Sequence, residues 1–512
     1  MTAAPEWTQG YVSDIPYTYG FYRELAPNLL RMALTDAGFD TPDVAKPFRY
    51  CELGTGFGVT LNTLAAANPM GEFYGTDFNP QQVAEARALA AAGGLSNVSF
   101  YDDAFADFIE RDLPSFDIIA VHGIYSWISD ENRQAIVRFI DKFLRPGGLA
   151  YVSYNAMPGW GPMAPVRYLM ARATEGHLGS SLSRVDRAFG LLDQLMDAKA
   201  AYFLRNPQIK DRLNKTRDQQ KSYIAHEYFN GYWNPMFHDQ VATELAEARL
   251  SFATSAHLCD HVDAVNLSKE GQRILSEVED RMLRETVRDF LTGSQFRRDI
   301  YVRGAPPITA MARQQRVAKQ RLALVRPAEK LEMKQSFPVG QVSLQEKVYR
   351  PLVEILDSEG PLTVEAMANH DKLSGTKFGG VWQACQVLSG LGFLEPVFDD
   401  AGIAARRGSA AAFNRAVMER AIESEQLRYL AIPATGSGMS VSRAEMLFML
   451  AEGNLEADPP QFVWDIFKAR GQRLKSEGKI LEKESDNIAQ LRQEYANFDK
   501  GRRSLFQQLG VL

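Results

Sequence analysis

The chain has 512 residues, 45% of them hydrophobic, and its 57 Lys and Arg face 63 Asp and Glu for a net charge of -6. That length suits roughly three domains and a core that needs no covalent staples. The mildly acidic balance excludes broad electrostatic attraction to nucleic acid or to a membrane surface. Cys51, Cys259 and Cys385 stand too far apart for a CxxC motif or a ligand cluster, which predicts reduced thiols and no structural zinc. Residues 1–7 carry neither a basic nor an apolar run, and no stretch of about 18 apolar residues occurs. A soluble, cytoplasmic protein without a secretory signal or membrane insertion is expected.

In chain order, a helix is predicted over 22–37, stopped by Gly38. Strand-like runs follow at 48–53, 72–76, 98–101, 116–121 and 149–154, separated by helical stretches. The clearest helix covers 81–92, with Asn79 as N-cap and Pro80 at its first position. Such alternation predicts βαβ units and a parallel sheet. From 159 to about 250 the pattern turns helical. Runs at 250–255 and 299–303 then read as the last two strands of the same sheet, which makes 160–248 an insertion within a first domain spanning 1–305.

Residues 306–335 are rich in Pro, Arg, Gln and Lys and read as a linker or a solvated helix. Helices at 348–356, 363–368 and 381–391, followed by a strand at 393–397, predict a winged-helix-like domain over 336–430. The last region, 431–512, reads as helical. Phe467, Leu474, Leu481, Ile488 and Tyr495 recur every seventh residue, but Gly471 and Gly478 interrupt the stripe. A terminal helix packed on its own protein is expected there rather than a coiled coil.

The chemistry concentrates at Glu52-Leu-Gly-Thr-Gly-Phe-Gly58, where three glycines follow an apolar strand and precede a helix. A Gly-rich turn in that setting lets a ligand approach the backbone and aims helix N-terminal N–H groups at it. A dinucleotide fingerprint would need a small residue three positions after Gly56, and that position is Val59. The second strand ends in Tyr74-Gly-Thr-Asp77, and Asp102-Asp103-Ala104-Phe105 follows the third.

This pattern resembles motif I of the class I S-adenosylmethionine (SAM)-dependent methyltransferases, and the resemblance runs through the first 155 residues. It implies an α/β fold, a Rossmann-like seven-stranded core, with SAM as cofactor. By the same resemblance the loop residues Glu52, Gly54, Thr55, Gly56, Phe57 and Gly58 wrap the amino-acid part of SAM. Asp77, with Phe78 beside it, takes the ribose hydroxyls, since a carboxylate offers two acceptors to a vicinal diol. Asp103 takes the adenine amino group and the amide of Ala104 the ring, while Tyr17 or Tyr19 caps the cofactor.

Ligands of open α/β sheets sit beyond the carboxyl ends of the strands. His122, Tyr125, Trp127, Tyr154 and Asn155 are therefore expected beside the methyl group, with Tyr125, Tyr154, Asn155 and Trp160 as candidates for the substrate cleft. No Ser/His/Asp arrangement with a nucleophile elbow is visible, and His226, Glu227 and His238 read as structural rather than metal-binding. Val121-His-Gly-Ile-Tyr-Ser-Trp127, Tyr151-Val-Ser-Tyr-Asn155 with Pro158-Gly-Trp160, Ala225-His-Glu-Tyr228 with Phe237-His-Asp239, and Gln295-Phe-Arg-Arg298 narrow the resemblance. They are similar to bacterial methyltransferases with a methyltransferase regulatory domain, a group that includes the rickettsial protein-lysine methyltransferases. The implied acceptor is a protein lysine amine. The alternatives are a small molecule or surface glycan, and a SAM-binding scaffold without turnover. An open groove beside Tyr154 and Trp160 would favour protein. The helix at 381–391 contains no Lys or Arg, so a nucleic-acid partner is not expected.

Overall fold

The computed structural model describes residues 19–176, 180–453, 458–476 and 478–512. Its centre is a seven-stranded sheet of β1 (Phe48–Leu53), β2 (Gly71–Thr76), β3 (Val98–Tyr101), β4 (Phe116–Val121), β5 (Leu144–Asn155), β6 (Ser251–Ser255) and β7 (Phe296–Val302). The strand order is β3-β2-β1-β4-β5-β7-β6, and only β7 runs antiparallel to its neighbours. Every residue of β4 is buried, as are all but Arg49 of β1, as expected of central strands covered on both faces. The chain order reverses between β1 and β4. Loops leaving those two strands diverge there and open a crevice.

Helices α1 (Pro27–Asp36), α2 (Val59–Ala67), α3 (Pro80–Ala92), α4 (Phe105–Phe108) and α5 (Asp130–Phe143) flank the sheet. The Asn79 side chain caps α3 by accepting from the amides of Gln81 and Gln82. The predicted helix at 22–37 is split into a single 3-10 turn, Arg23–Leu25, and α1. Pro27 is the reason: it pushes the preceding Ala26 to an extended conformation, φ -64° and ψ 125°.

The insertion comprises α6 (Ala164–Ala173), α7 (Ser181–Asp197), α8 (Ala201–Arg205), α9 (Gln208–Arg217), α10 (Lys221–Phe229) and α11 (His238–Ala246). Helices α6, α7, α9 and α10 surround a small core of their own that includes Trp160, Leu192 and Leu213. Helices α4, α5 and α11 cover one face of the sheet.

Beyond β7 the expected linker holds a helix, Ala310–Lys319, and a strand, Arg321–Leu324. That strand lies between Leu362–Thr363 and Leu394–Pro396 in a three-stranded antiparallel sheet. Its apolar run Leu322-Ala-Leu-Val325 is short and flanked by arginines, which masks it in a composition-based reading. Helices Glu346–Glu359, Val364–Ala368 and Phe378–Gly390 accompany this sheet. The heptad stripe near the C-terminus is broken up. Phe467 lies on helix Pro459–Ala469, Leu474 and Leu481 flank a small hairpin that turns at Gly478, and Ile488 and Tyr495 lie on Glu484–Asn497.

One continuous core joins α1, α2 and the second face of the large sheet to the C-terminal region. Buried Asp36 anchors this joint, accepting from Trp382 Nε1 at 2.8 Å, Gln386 Nε2 at 2.7 Å and Arg313 at 2.7 Å, with His261 Nδ1 2.7 Å away. Burial alone would raise its pKa. These donors overcome that and hold it at about 2.

Candidate active site

The crevice between the β1 and β4 loops is a cleft of about 1400 Å³, part of it open to solvent. After β1 the chain turns through Gly54 at φ +78°, where a Cβ would come within 2.9 Å of the Ile124 side chain. It enters α2 through Gly58 at φ +64°, where a Cβ would lie 2.5 Å from that of Ala86. The amides of Gly54 and Thr55 donate to the carbonyl of Thr76, and that of Gly56 donates to Asp77 Oδ2 at 2.8 Å. The acid ending β2 thus shapes the loop, and its Oδ1 accepts from the Asn79 amide at 3.0 Å.

Of the residues expected at the cofactor, Glu52, Gly54, Thr55, Gly56, Phe57, Asp77, Phe78, Asp103, Ala104 and His122 line this one cleft. Gly58 stands behind it as the N-cap of α2. Tyr19 reaches it through Phe57, with ring centroids 4.4 Å apart and planes 8° from parallel. Tyr17 lies outside the described residues.

Two buried carboxyls define the electrostatics. Burial, followed by the neighbouring Asp77, pushes Glu52 up to about 8, and its Oε2 has no hydrogen-bond partner. Burial likewise pushes Asp77 up to about 6, against the amides of Asn79 and Gly56. A cationic ligand bearing hydroxyl and ammonium donors would relieve both desolvated groups, and SAM is such a ligand. Asp103 is held by both oxygens on Arg111, at 2.9 Å each. Burial pulls His122 down to about 4, so it is neutral at pH 7 and does not repel a sulfonium. Its Nδ1 lies 3.0 Å from the Tyr151 hydroxyl, and Tyr22 covers its ring at 3.9 Å.

The rest of the cleft is built by distant segments: Tyr22 from before α1, Trp127 and Asn132 from after β4, and His226, Glu227, Asn230 and Tyr232 from the end of α10. Burial pushes the Glu227 carboxyl up to about 7, offset by Arg167, Arg212 and a hydrogen bond with Tyr223. Trp127 was expected in the cleft, and Tyr22 belongs to the aromatic residues that the N-terminal sequence offers such a pocket; Asn132, His226, Glu227, Asn230 and Tyr232 were not expected there. The one signal for them was the stretch Ala225-His-Glu-Tyr228, where His226 reads as structural. The structure separates two histidines that the sequence groups together, since His226 lines the cleft while His238 is buried beside Asp299.

The four candidates for the substrate cleft do not line it. Side chains alternate across a strand. Along β5, Tyr151 and Ser153 therefore face His122, whereas Tyr154 points through the opposite face and donates to Asp299 Oδ2 at 2.8 Å. Asn155 is buried at the strand end, its amide donating to Ser126 Oγ and its carbonyl accepting from Met236. Tyr125 is fully buried and donates to Glu244 Oε2 at 2.6 Å. Trp160 packs edge-on against Trp233 inside the insertion, under the Arg212 guanidinium 4.1 Å away. Each lies close in sequence to the cleft but turns into a neighbouring core.

Comparison with known proteins agrees with this architecture. A methyltransferase-domain model matches residues 51–150, the loop and strands that carry the glycines and Asp77. A model described as a predicted methyltransferase regulatory domain matches residues 220–303, a stretch that includes His226 and Glu227. An uncharacterised protein of Synechocystis sp. is 44% identical over 505 residues, 99% of each chain. An uncharacterised Rickettsia prowazekii protein is 25% identical over 288 residues, 56% of this chain and 51% of its own. PKMT2 from Rickettsia typhi, solved in complex with AdoHcy, matches in fold with a TM-score of 0.69 at 18% identity, covering 94% of this chain and 98% of that one. The chain shares its family with the Synechocystis protein and belongs to the SAM-dependent methyltransferases that carry a methyltransferase regulatory domain, whose matched residues here include the last two strands of the sheet.

Proposed function

We propose that the enzyme methylates the side-chain amine of a protein lysine. The observation that carries this reading is Glu227, a half-buried carboxyl with its pKa raised to about 7, in a cleft half lined by Tyr22, Trp127 and Tyr232. A lysine arrives as an ammonium, which aromatic faces attract and which must lose a proton before it can react. Glu227 is suited to take that proton, because a base whose pKa lies near the working pH is ionised beforehand and holds the proton afterwards. Bound SAM supplies an electrophilic methyl, so that an N–C bond forms as the S–C bond breaks and the electron pair stays on sulfur. The chain's remaining task is to position the nitrogen and exclude water.

Tyr232 is 47% exposed and still lines the cleft, so the acceptor half reaches the protein surface, as a side chain presented by another protein requires. The overall likeness to PKMT2 supports the same reading. The test is incubation with methyl-labelled SAM and a fractionated lysate, followed by acid hydrolysis of the labelled protein. Label in methyllysine is the expected result. Label confined to small molecules or glycan, or no label at all, would overturn it.

A further inference from the structure

The segment leading into α1 is a wall shared by two cavities. Gly20 and Tyr22 line the cofactor cleft, while Phe21 and Arg23 line a second, wider groove between the core and the C-terminal region. This is the alternation of an extended chain, which shows successive side chains to opposite sides.

The two sides hold the wall by different means. On the cofactor side Thr60 Oγ1 donates to the Gly20 carbonyl at 3.3 Å and accepts from the Tyr22 amide at 3.3 Å, and the Tyr22 ring packs on that of His122. These hydrogen bonds are long and neutral, at the weak end of the range. On the other side Arg23 is clamped three ways, to buried Glu395 at 3.0 Å and to the carbonyls of Ser389 at 2.7 Å and Leu394 at 3.2 Å. Charge-assisted bonds of this kind are roughly twice as strong as neutral ones. The Phe21 ring packs 5.9 Å from that of Tyr429 and against Gly438, where a Cβ would come within 3.1 Å of it. Tyr19, stacked on Phe57, also has the Arg420 guanidinium 5.8 Å from its ring centroid.

We infer that Phe21, Arg23 and Glu395 are positioning residues for SAM: the C-terminal region sets cofactor affinity by fixing the wall that carries Tyr22 against His122. This inference rests on the SAM-dependent chemistry and not on the identity of the acceptor.

The test is SAM binding by calorimetry on the full chain, with thermal unfolding measured in parallel. Arg23→Ala and Phe21→Ala are expected to weaken SAM by about tenfold, and Glu395→Gln, which removes a charge but keeps the shape, by about fivefold. Trp382→Phe is the control. It cuts a different bond of the same joint, to Asp36, and is expected to lower the Tm while leaving SAM affinity within about twofold. Unchanged affinity in Arg23→Ala and Phe21→Ala would overturn the inference. So would a Trp382→Phe variant that loses as much SAM affinity as Arg23→Ala, since that would make the effect one of general stability. If the alanine variants do not fold, Glu395→Gln decides in the same way: a loss supports the clamp and unchanged affinity overturns it.

Discussion

The two halves of the cleft are built by opposite means. The cofactor half comes from short loops at the carboxyl ends of β1 to β4, so its residues sit beside one another in sequence and in space. The other half, which we propose takes the acceptor, is assembled from Tyr22, from Trp127 and from residues 226–232, brought together across about 200 positions by the insertion and the wall before α1. A half built locally keeps its geometry when its own strand and turn are correct. A half built from distant segments depends on packing elsewhere, and substitutions far from it can change it.

The largest effect is expected at the local half. Asp77→Ala should weaken SAM binding by about 100-fold in calorimetry, since a carboxylate shared by a diol and the Gly56 amide is lost together with the loop geometry it sets. Unchanged affinity would remove the ribose assignment and with it the claim that this half is the determined one. Glu227→Gln should lower kcat by about 30-fold while SAM affinity stays within about twofold. Equal losses in both would move Glu227 into the cofactor half.

A pH series separates the two buried carboxyls. On the proposed ribose assignment only the ionised Asp77 offers both oxygens as acceptors, so SAM affinity should rise with pH through about 6, by at most about tenfold per unit. Glu52→Gln should leave that step in place and abolish any further rise toward about 8. In the absence of cofactor the sign is opposite for stability. Burial raises both pKa values above those of the unfolded chain, which therefore loses its protons first, and stability falls as pH rises from about 4 to about 8. A SAM affinity that does not change between pH 5 and 7 would place the ribose contact elsewhere. Last, Tyr154→Phe should cost about 1–2 kcal/mol in denaturant unfolding, because it removes a donor to buried Asp299, and should leave kcat and SAM affinity within about twofold. A selective loss of kcat would return Tyr154 to the acceptor half.

Much of the sheet was legible. The runs at 48–53, 98–101 and 116–121 coincide with β1, β3 and β4, because parallel strands are short runs bounded by turns, whether central as β1 and β4 or at the edge as β3. Asn79 and Pro80 marked the start of α3, since a cap is a property of adjacent residues. The strand Arg321–Leu324 was hidden because its pairing partners lie about 40 and 70 residues further on, and its neighbours are the polar residues of a solvated helix. The four residues expected in the substrate cleft do not line it, for a simpler reason. A strand end near the cleft does not say which of two faces a side chain takes, and along β5 Tyr151 and Tyr154 take different ones.

The sequence by itself marked a Gly-rich ligand loop that departs from a dinucleotide site, with Val59 where that site needs a small residue, Glu52 and three glycines on one loop and an acid at the end of β2, and its resemblance to the class I methyltransferases supplied the cofactor. Those features are set by backbone sterics and by charge within a few residues, so no long-range contact has to be known to read them. The tertiary structure decided which distant residues complete the cleft and what clamps its wall. Only folding brings Glu227 into the cleft with Trp127 and pairs Arg23 with Glu395, 372 positions away. Pairings at that separation come from burial of surfaces that carry no local mark in the chain.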